Sequence, residues 1–214
     1  MPSTHAKNTK QKRLGRQLTD AGSLFIAAGL ILGLFIYAPI IKQELRYIYS
    51  DKGAGAVVEK HPGNEVITPV SSEFGIVIPK ISANAIVVPD IDPQDPQVYQ
   101  QALTKGVAHA KGSALPGENG NVFLFAHSAV DFYAATRYNA IFYLLTKLQK
   151  DDDIYIFYKG DKYRYSVIDA KKVPADSVEY LQKGNLQTLT LMTCWPPGTT
   201  WQRYLVTAKL VSNY

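Results

Sequence analysis

The chain has 214 residues and a formal charge of +5. Five cations (Lys7, Lys10, Lys12, Arg13 and Arg16) stand against Asp20 alone in the first 20 residues, so the rest carries only +1. That distribution leaves no basic face for nucleic acid. One cysteine, Cys194, excludes an internal disulfide and leaves either an inert buried thiol or a reactive one.

Residues 1–20 read as a short basic cytoplasmic tail. From Ala21 to Ile41 there are 21 residues without a charge, and about 20 apolar residues suffice for a helix to cross the hydrocarbon layer. The basic cluster before them predicts a cytoplasmic N-terminus, with the rest of the chain outside. A cleaved signal peptide would have a shorter apolar core and a small-x-small cleavage site. The segment therefore reads as a retained anchor, and the localisation as a single-pass protein of the cell membrane. Pro2 speaks against an N-terminal lipid. Residues 42–73 read as a juxtamembrane linker and 74–214 as one domain.

In that domain Gly75–Ile81 and Ala85–Val88 look like strands, with Pro79 suggesting an edge position or a bulge. Asp90–Pro96 reads as loop and Val98–Lys105 as a short helix. Gly106–Gly112, which holds His109, and Ala114–Gly120 read as polar, turn-rich loops. Asn121–Ala126 is apolar on both faces, as a buried central strand would be, and ends at His127. Ala140–Gln149 has helical spacing. Asp151-Asp152-Asp153 reads as a solvated turn rather than a metal site. Ile154–Tyr158 and Lys162–Ile168 form a hairpin around Lys159-Gly160-Asp161, and Ser177–Gln182 a helical turn. The expected fold is mainly β: about eight short strands in a barrel with short helices, preceded by one N-terminal transmembrane helix.

The informative stretch is Leu189–Val206. Strand side chains alternate between faces. Leu189 and Leu191 share one face, and Thr190, Met192 and Cys194 the other. On the next strand Tyr204, Val206, Ala208 and Leu210 oppose Arg203, Leu205, Thr207 and Lys209. If both apolar faces meet one core, Cys194 and Arg203 emerge together at the mouth of the Pro196-Pro197-Gly198 turn. This assumes the pairing, which periodicity does not supply. His5 and His61 lie in the tail and the linker. His127, at a strand end, can hold an imidazole at a rim, or serve as a hydrogen-bonded structural histidine. Arg203 can equally be an exposed strand residue.

Thr190-Leu191-Met192-Thr193-Cys194, Pro196 two residues on and Arg203 nine residues after the cysteine resemble the active-site strand pair of sortases, the cysteine transpeptidases of bacterial cell surfaces. Gly112–Asn121 followed by a strand and His127 is similar to the family's stretch before its histidine. The likeness covers residues 74–214, and Gln202–Val206 looks most like the housekeeping type called class E. The family often has Gly-His where this chain has Ala126-His127. The resemblance implies an eight-stranded sortase-like β-barrel. It also implies a catalytic set of Cys194, His127 and Arg203, with no cofactor-binding residues. Cys194 would attack the Thr–Gly amide of a Leu-Pro-x-Thr-Gly-like signal, and His127 would protonate the departing amine. Arg203 would hold the substrate or the oxyanion. Partners would be surface proteins carrying a C-terminal sorting signal, the membrane, and an amine from a cell-wall precursor or a pilin. Some sortases use calcium, but no ligands map onto this chain, and Glu118 or Asp151–Asp153 would be guesses. A cysteine hydrolase with water as acceptor, or a non-catalytic anchored β-domain, are the competing readings.

Overall fold

The computed structural model describes residues 20–35, 38, 41, 44, 45, 58–61, 64–128, 141–177, 180 and 186–213. The basic tail and most of the expected Ser177–Gln182 turn fall outside them. Two compact units form, Met1–Leu45 and Arg46–Tyr214.

In the first unit residues 20–35 form a helix, α1. Its large apolar side chains, from Leu24 to Phe35, are 55–78% exposed on all sides. Among the described residues no helix is long and apolar enough to cross a membrane. The uncharged stretch continues to Ile41, where residues 36, 37, 39 and 40 lie outside the description.

The second unit begins inside the expected linker with a two-stranded antiparallel hairpin, β1 (Val58–His61) and β2 (Asn64–Ile67). Ile67 packs against Val77, Tyr155 and Phe157. The side-chain amide of Asn84 fastens the next residues, donating to Thr68 O at 2.9 Å and accepting from Val70 N at 2.9 Å.

Eight strands then close a barrel: β3 (Phe74–Ile78), β4 (Ala83–Ile91), β5 (Val107–Ala110), β6 (Asn121–Phe125), β7 (Asp153–Tyr158), β8 (Asp161–Pro174), β9 (Thr188–Trp195) and β10 (Gln202–Asn213). Around the barrel the order is β10-β8-β7-β3-β4-β5-β6-β9. Closure removes every exposed edge. Pro79 is not inside a strand. It opens a 3-10 turn, Pro79–Ile81, where its missing N–H costs nothing and its fixed φ suits the turn.

β4 outruns its expected end, reaching Ile91, and β8 continues to Pro174 because β10 pairs with it along that length. The helix α2 is Pro96–Leu103, two residues earlier than its apolar spacing suggests. Its start is set by Asp95, whose carboxylate accepts from Gln97 N and Val98 N, with proline in the first turn. Tyr143–Lys147 is a 3-10 turn and not a ten-residue helix. It still buries Leu144 and Leu145. The β7–β8 hairpin turns on Lys159 (φ 52°) and Gly160 (φ 91°), the two positive φ values that a two-residue turn of matching twist needs.

His109 departs most from its expected setting. It lies in β5, 3% exposed, and not in a polar loop. Its four-residue strand is too short to show a period, and parallel pairing with β4 on one side and antiparallel pairing with β6, where His109 stands opposite Leu124, hold it in place.

Asn121–Phe125 is buried on both faces. The barrel core, with Ile76, Leu124, Ile156, Leu189 and Leu191 fully buried, fills one side, and Tyr99 of α2 meets Phe125 edge-on at 6.4 Å on the other.

Candidate active site

β6 and β9 run parallel, from Asn121↔Thr188 to Phe125↔Met192. Parallel strands bring their C-terminal ends to the same rim. Continuing the register by two residues sets His127 level with Cys194. The two chains stay bonded past the last strand pair: Ala126 N donates to Met192 O at 3.2 Å, and Thr193 Oγ1 donates to Ala126 O at 2.9 Å. That carbonyl is otherwise at the end of a ladder, and the bond fastens the residue before His127 to the residue before Cys194. Ala126 is absent from the residues with positive φ, so the backbone there asks for no glycine.

β10 runs antiparallel to β9, so its N-terminal end reaches the same rim. The assumed pairing is the observed one: Arg203↔Cys194, with Val206↔Leu191 and Ala208↔Leu189 on the core side. Directly opposed residues share a face, so guanidinium and thiol emerge together. Arg203 Nη1 donates to Thr200 O and to Gln202 O, each at 3.2 Å. Among the described residues Nη2 and Nε have no bond. The side chain is thus held by one nitrogen, with donors to spare.

Cys194 and His127 are half-buried. Both line a cavity of about 300 Å³ together with Arg203. Tyr99, Gln100 and Leu103 of α2 line it too, as do Phe125, Met192 and the Gly198–Thr200 turn. All three residues named from the sequence therefore meet in one cleft.

His109 does not reach the cleft. Its Nδ1 accepts Asp90 N–H at 3.4 Å, and its Nε2 lies 3.0 Å from Ala114 O and 2.9 Å from Ser113 Oγ. Burial lowers its pKa, outweighing the bond to Ala114 and the charges of Asp90 and Glu118. Asp152 pairs with Lys80 at 2.8 Å and Asp153 with Arg164 at 2.9 Å. Glu118 accepts Leu115 N at 2.9 Å. Among the described residues no group of three or more His, Cys, Asp or Glu could hold a metal ion.

Sequence reasoning passed over Thr193 and the α2 lining. Thr193 had a signal, since it continues the face of Leu189 and Leu191. A hydroxyl facing a core needs a partner. The α2 lining had none, because helix-to-strand packing is not written in local periodicity.

A family model described as the sortase domain matches residues 76–211. The chain belongs to the sortase family. It is 28% identical over 139 residues to Sortase D of Bacillus subtilis (strain 168), across 63% of this chain and 62% of that one. It is 27% identical over 114 residues to Sortase A of Bacillus anthracis, across 53% and 51%. The match thus spans less than two thirds of either relative. Among solved structures, Sortase A from Corynebacterium diphtheriae, a lid mutant, superposes with a TM-score of 0.55 at 27% identity, over 66% of this chain and 71% of that one. Sortase C-1 from Actinomyces oris gives 0.55 at 27%, over 67% and 76%. Sortases are cysteine transpeptidases.

Proposed function

We propose that this sortase is a membrane-anchored transpeptidase. It cleaves a Leu-Pro-x-Thr-Gly-like sorting signal and joins the surface protein to an amine of the cell envelope. The observation that carries the reading is the convergence of Cys194, His127 and Arg203 on one cleft, with Arg203 register-paired to the cysteine. Cys194 as thiolate attacks the scissile carbonyl carbon, and the carbonyl becomes an oxyanion. Arg203's spare donors face that charge. The tetrahedral species collapses, the C–N bond breaks, and His127 as imidazolium gives its proton to the departing amine. What remains is a thioester on Cys194. An incoming amine then reverses the sequence: it forms a C–N bond, loses a proton to His127 and releases the thiolate.

Both groups must be charged at once.

Two features support the anchor. An uncharged stretch of 21 residues follows the basic tail, and the described part of its helix is apolar and exposed all round, a pattern that suits lipid. The basic cluster supports a cytoplasmic N-terminus and an extracytoplasmic barrel.

The test uses the full chain in detergent with a Leu-Pro-x-Thr-Gly peptide library, with and without triglycine or a diamine, beside Cys194→Ala. The expected result is a cysteine-dependent, amine-linked product by mass spectrometry. Cleavage to free acid alone would favour a hydrolase. No cysteine-dependent product, together with a Cys194 that resists iodoacetamide, would leave a non-catalytic β-domain.

A further inference from the structure

Residues 196–201 join β9, which carries Cys194, to β10, which carries Arg203. Burial does little to shape this loop. Gly198, Thr200 and Trp201 are exposed, Trp201 at 76%. Its form rests on hydrogen bonds, and these run in a chain. Pro197 and Gly198 (φ 80°) supply the residue types and the positive φ of a type II turn. Thr199 N–H closes that turn on Pro196 O at 3.0 Å. Thr199 Oγ1 donates to the same carbonyl at 2.9 Å. The carbonyl of the following residue, Thr200, accepts Arg203 Nη1 at 3.2 Å.

The turn itself needs only the N–H. A valine has the shape of threonine and would close it as well. The hydroxyl adds a second bond to an oxygen two residues past the cysteine, and so holds half-buried Thr199 by backbone and side chain together. Thr200 comes next, and its carbonyl is one of two oxygens that hold the guanidinium. The other, Gln202 O, belongs to the residue before Arg203 and moves with it. Thr200 O is therefore what ties the guanidinium to the loop.

On the transpeptidase reading above, with the spare donors of Arg203 facing the oxyanion, we infer that Thr199 is a positioning residue for Arg203. Its hydroxyl fixes the turn after Cys194 and so sets where the guanidinium stands relative to the thiol. The role runs through Arg203, not through contact with the peptide. Donors aimed at a developing charge lose effect with small displacements. A turn held by one bond in place of two slows the step that makes the oxyanion and leaves peptide binding alone.

The experiment follows acylation of Cys194 by intact mass, with the full chain in detergent and a library peptide. The maximal rate and the half-saturating peptide concentration are read separately for the unchanged chain, Thr199→Val and Thr199→Ser. For Thr199→Val the maximal rate should fall about five- to tenfold, the size one hydrogen bond carries, with half-saturation unchanged within about twofold. Thr199→Ser keeps the donor and should recover most of the rate. Arg203→Met keeps the stem and removes the donors, and its slower acylation is followed over hours. Adding Thr199→Val to it should cost less than about twofold, because the two residues act as one unit. Equal falls in both backgrounds would mean that Thr199 acts without Arg203, and would overturn the inference. So would a Thr199→Val rate within about twofold of the unchanged chain, or a serine variant that recovers nothing. A higher half-saturating concentration at an unchanged maximal rate would give the hydroxyl to the peptide and overturn it too. In all these cases the acyl-enzyme still forms and cysteine chemistry stands. Absence of any acyl-enzyme in the unchanged chain sinks the transpeptidase reading itself, and this inference with it.

Discussion

The surroundings of His109 and of His127 make an instructive pair, since one lies within β5 and the other just past the end of the adjoining β6. Around His109 every polar contact is internal. Asp90 N–H points at Nδ1 and the Ala114 carbonyl at Nε2, which assigns a neutral ring with its proton on Nε2. Ser113 completes the knot, donating to Ala110 O at 2.8 Å and accepting Phe123 N–H at 3.3 Å. Around His127 the strand has ended, the ring borders a cavity, and a thiol lies level with it on the next strand. One imidazole holds a loop closed and the other borders a cavity beside a thiol. The difference lies in what the strand does next. β5 runs into a turn that folds back on the ring, and β6 stops at the rim.

The sharpest way to break this contrast is to remove each ring in turn. His127→Ala should lower amine-linked product formation by about 10²- to 10⁴-fold, the range for losing a general acid–base group, with little change in Tm. His109→Ala should do the opposite. It orphans Asp90 N–H and Ala114 O and opens a cavity, so we expect a loss of about 2–4 kcal/mol in denaturant unfolding. Turnover per folded molecule should stay within a few-fold. Loss of activity with full stability in His109→Ala would undo the assignment of roles.

A smaller effect sharpens the comparison at the rim itself. Thr193→Val keeps the shape and removes the bond to Ala126 O, leaving a buried carbonyl unpaired at a cost of about 1–3 kcal/mol. Because that bond ties the residue before His127 to the residue before Cys194, turnover should fall as well. Thr193→Ser restores the donor and should recover most of both losses. If the serine variant recovers stability and not turnover, the methyl group matters and the bond does not position the pair.

These residues also show what the sequence made legible. Cys194 and Arg203 could be placed on one side because both flanking strands alternate cleanly, and a period of two fixes faces even when register is unknown. β6 could be recognised because five successive apolar residues, Val122 to Ala126, exclude a half-exposed strand. His109 was misplaced because Gly106–Gly112 has the composition of a loop, and only pairing with distant β4 and β6 makes its middle a strand. The 3-10 turn at Tyr143–Lys147 has helical spacing because both helix types return a side chain to one face every three to four residues. The juxtaposition of His127 with Cys194 rests on parallel pairing between segments 67 residues apart, which no local pattern encodes. It came from the family resemblance.

The smallest expected effect is on the pH dependence of stability, and it isolates the buried ring. Burial holds the His109 pKa below the 6.5 of an exposed imidazole, against opposing contributions from the bond to Ala114 and the charges of Asp90 and Glu118. The unfolded chain therefore takes up this proton at higher pH than the native barrel does. Above the unfolded value both states are neutral here, and the residue adds no slope. As pH falls below about 6.5 the unfolded state binds more protons and stability declines, until the native pKa is passed. Other carboxylates and histidines add their own slopes, so the measurement is a difference: Tm against pH from about 5 to 8, the window of histidine titration, for the unchanged chain and for His109→Gln. The glutamine variant starts lower but should lose less on acidification, and the two curves should converge toward pH 5. Parallel curves would mean that the ring titrates alike in both states. They would count against the closed hydrogen-bond knot that sets His109 apart from the histidine at the rim.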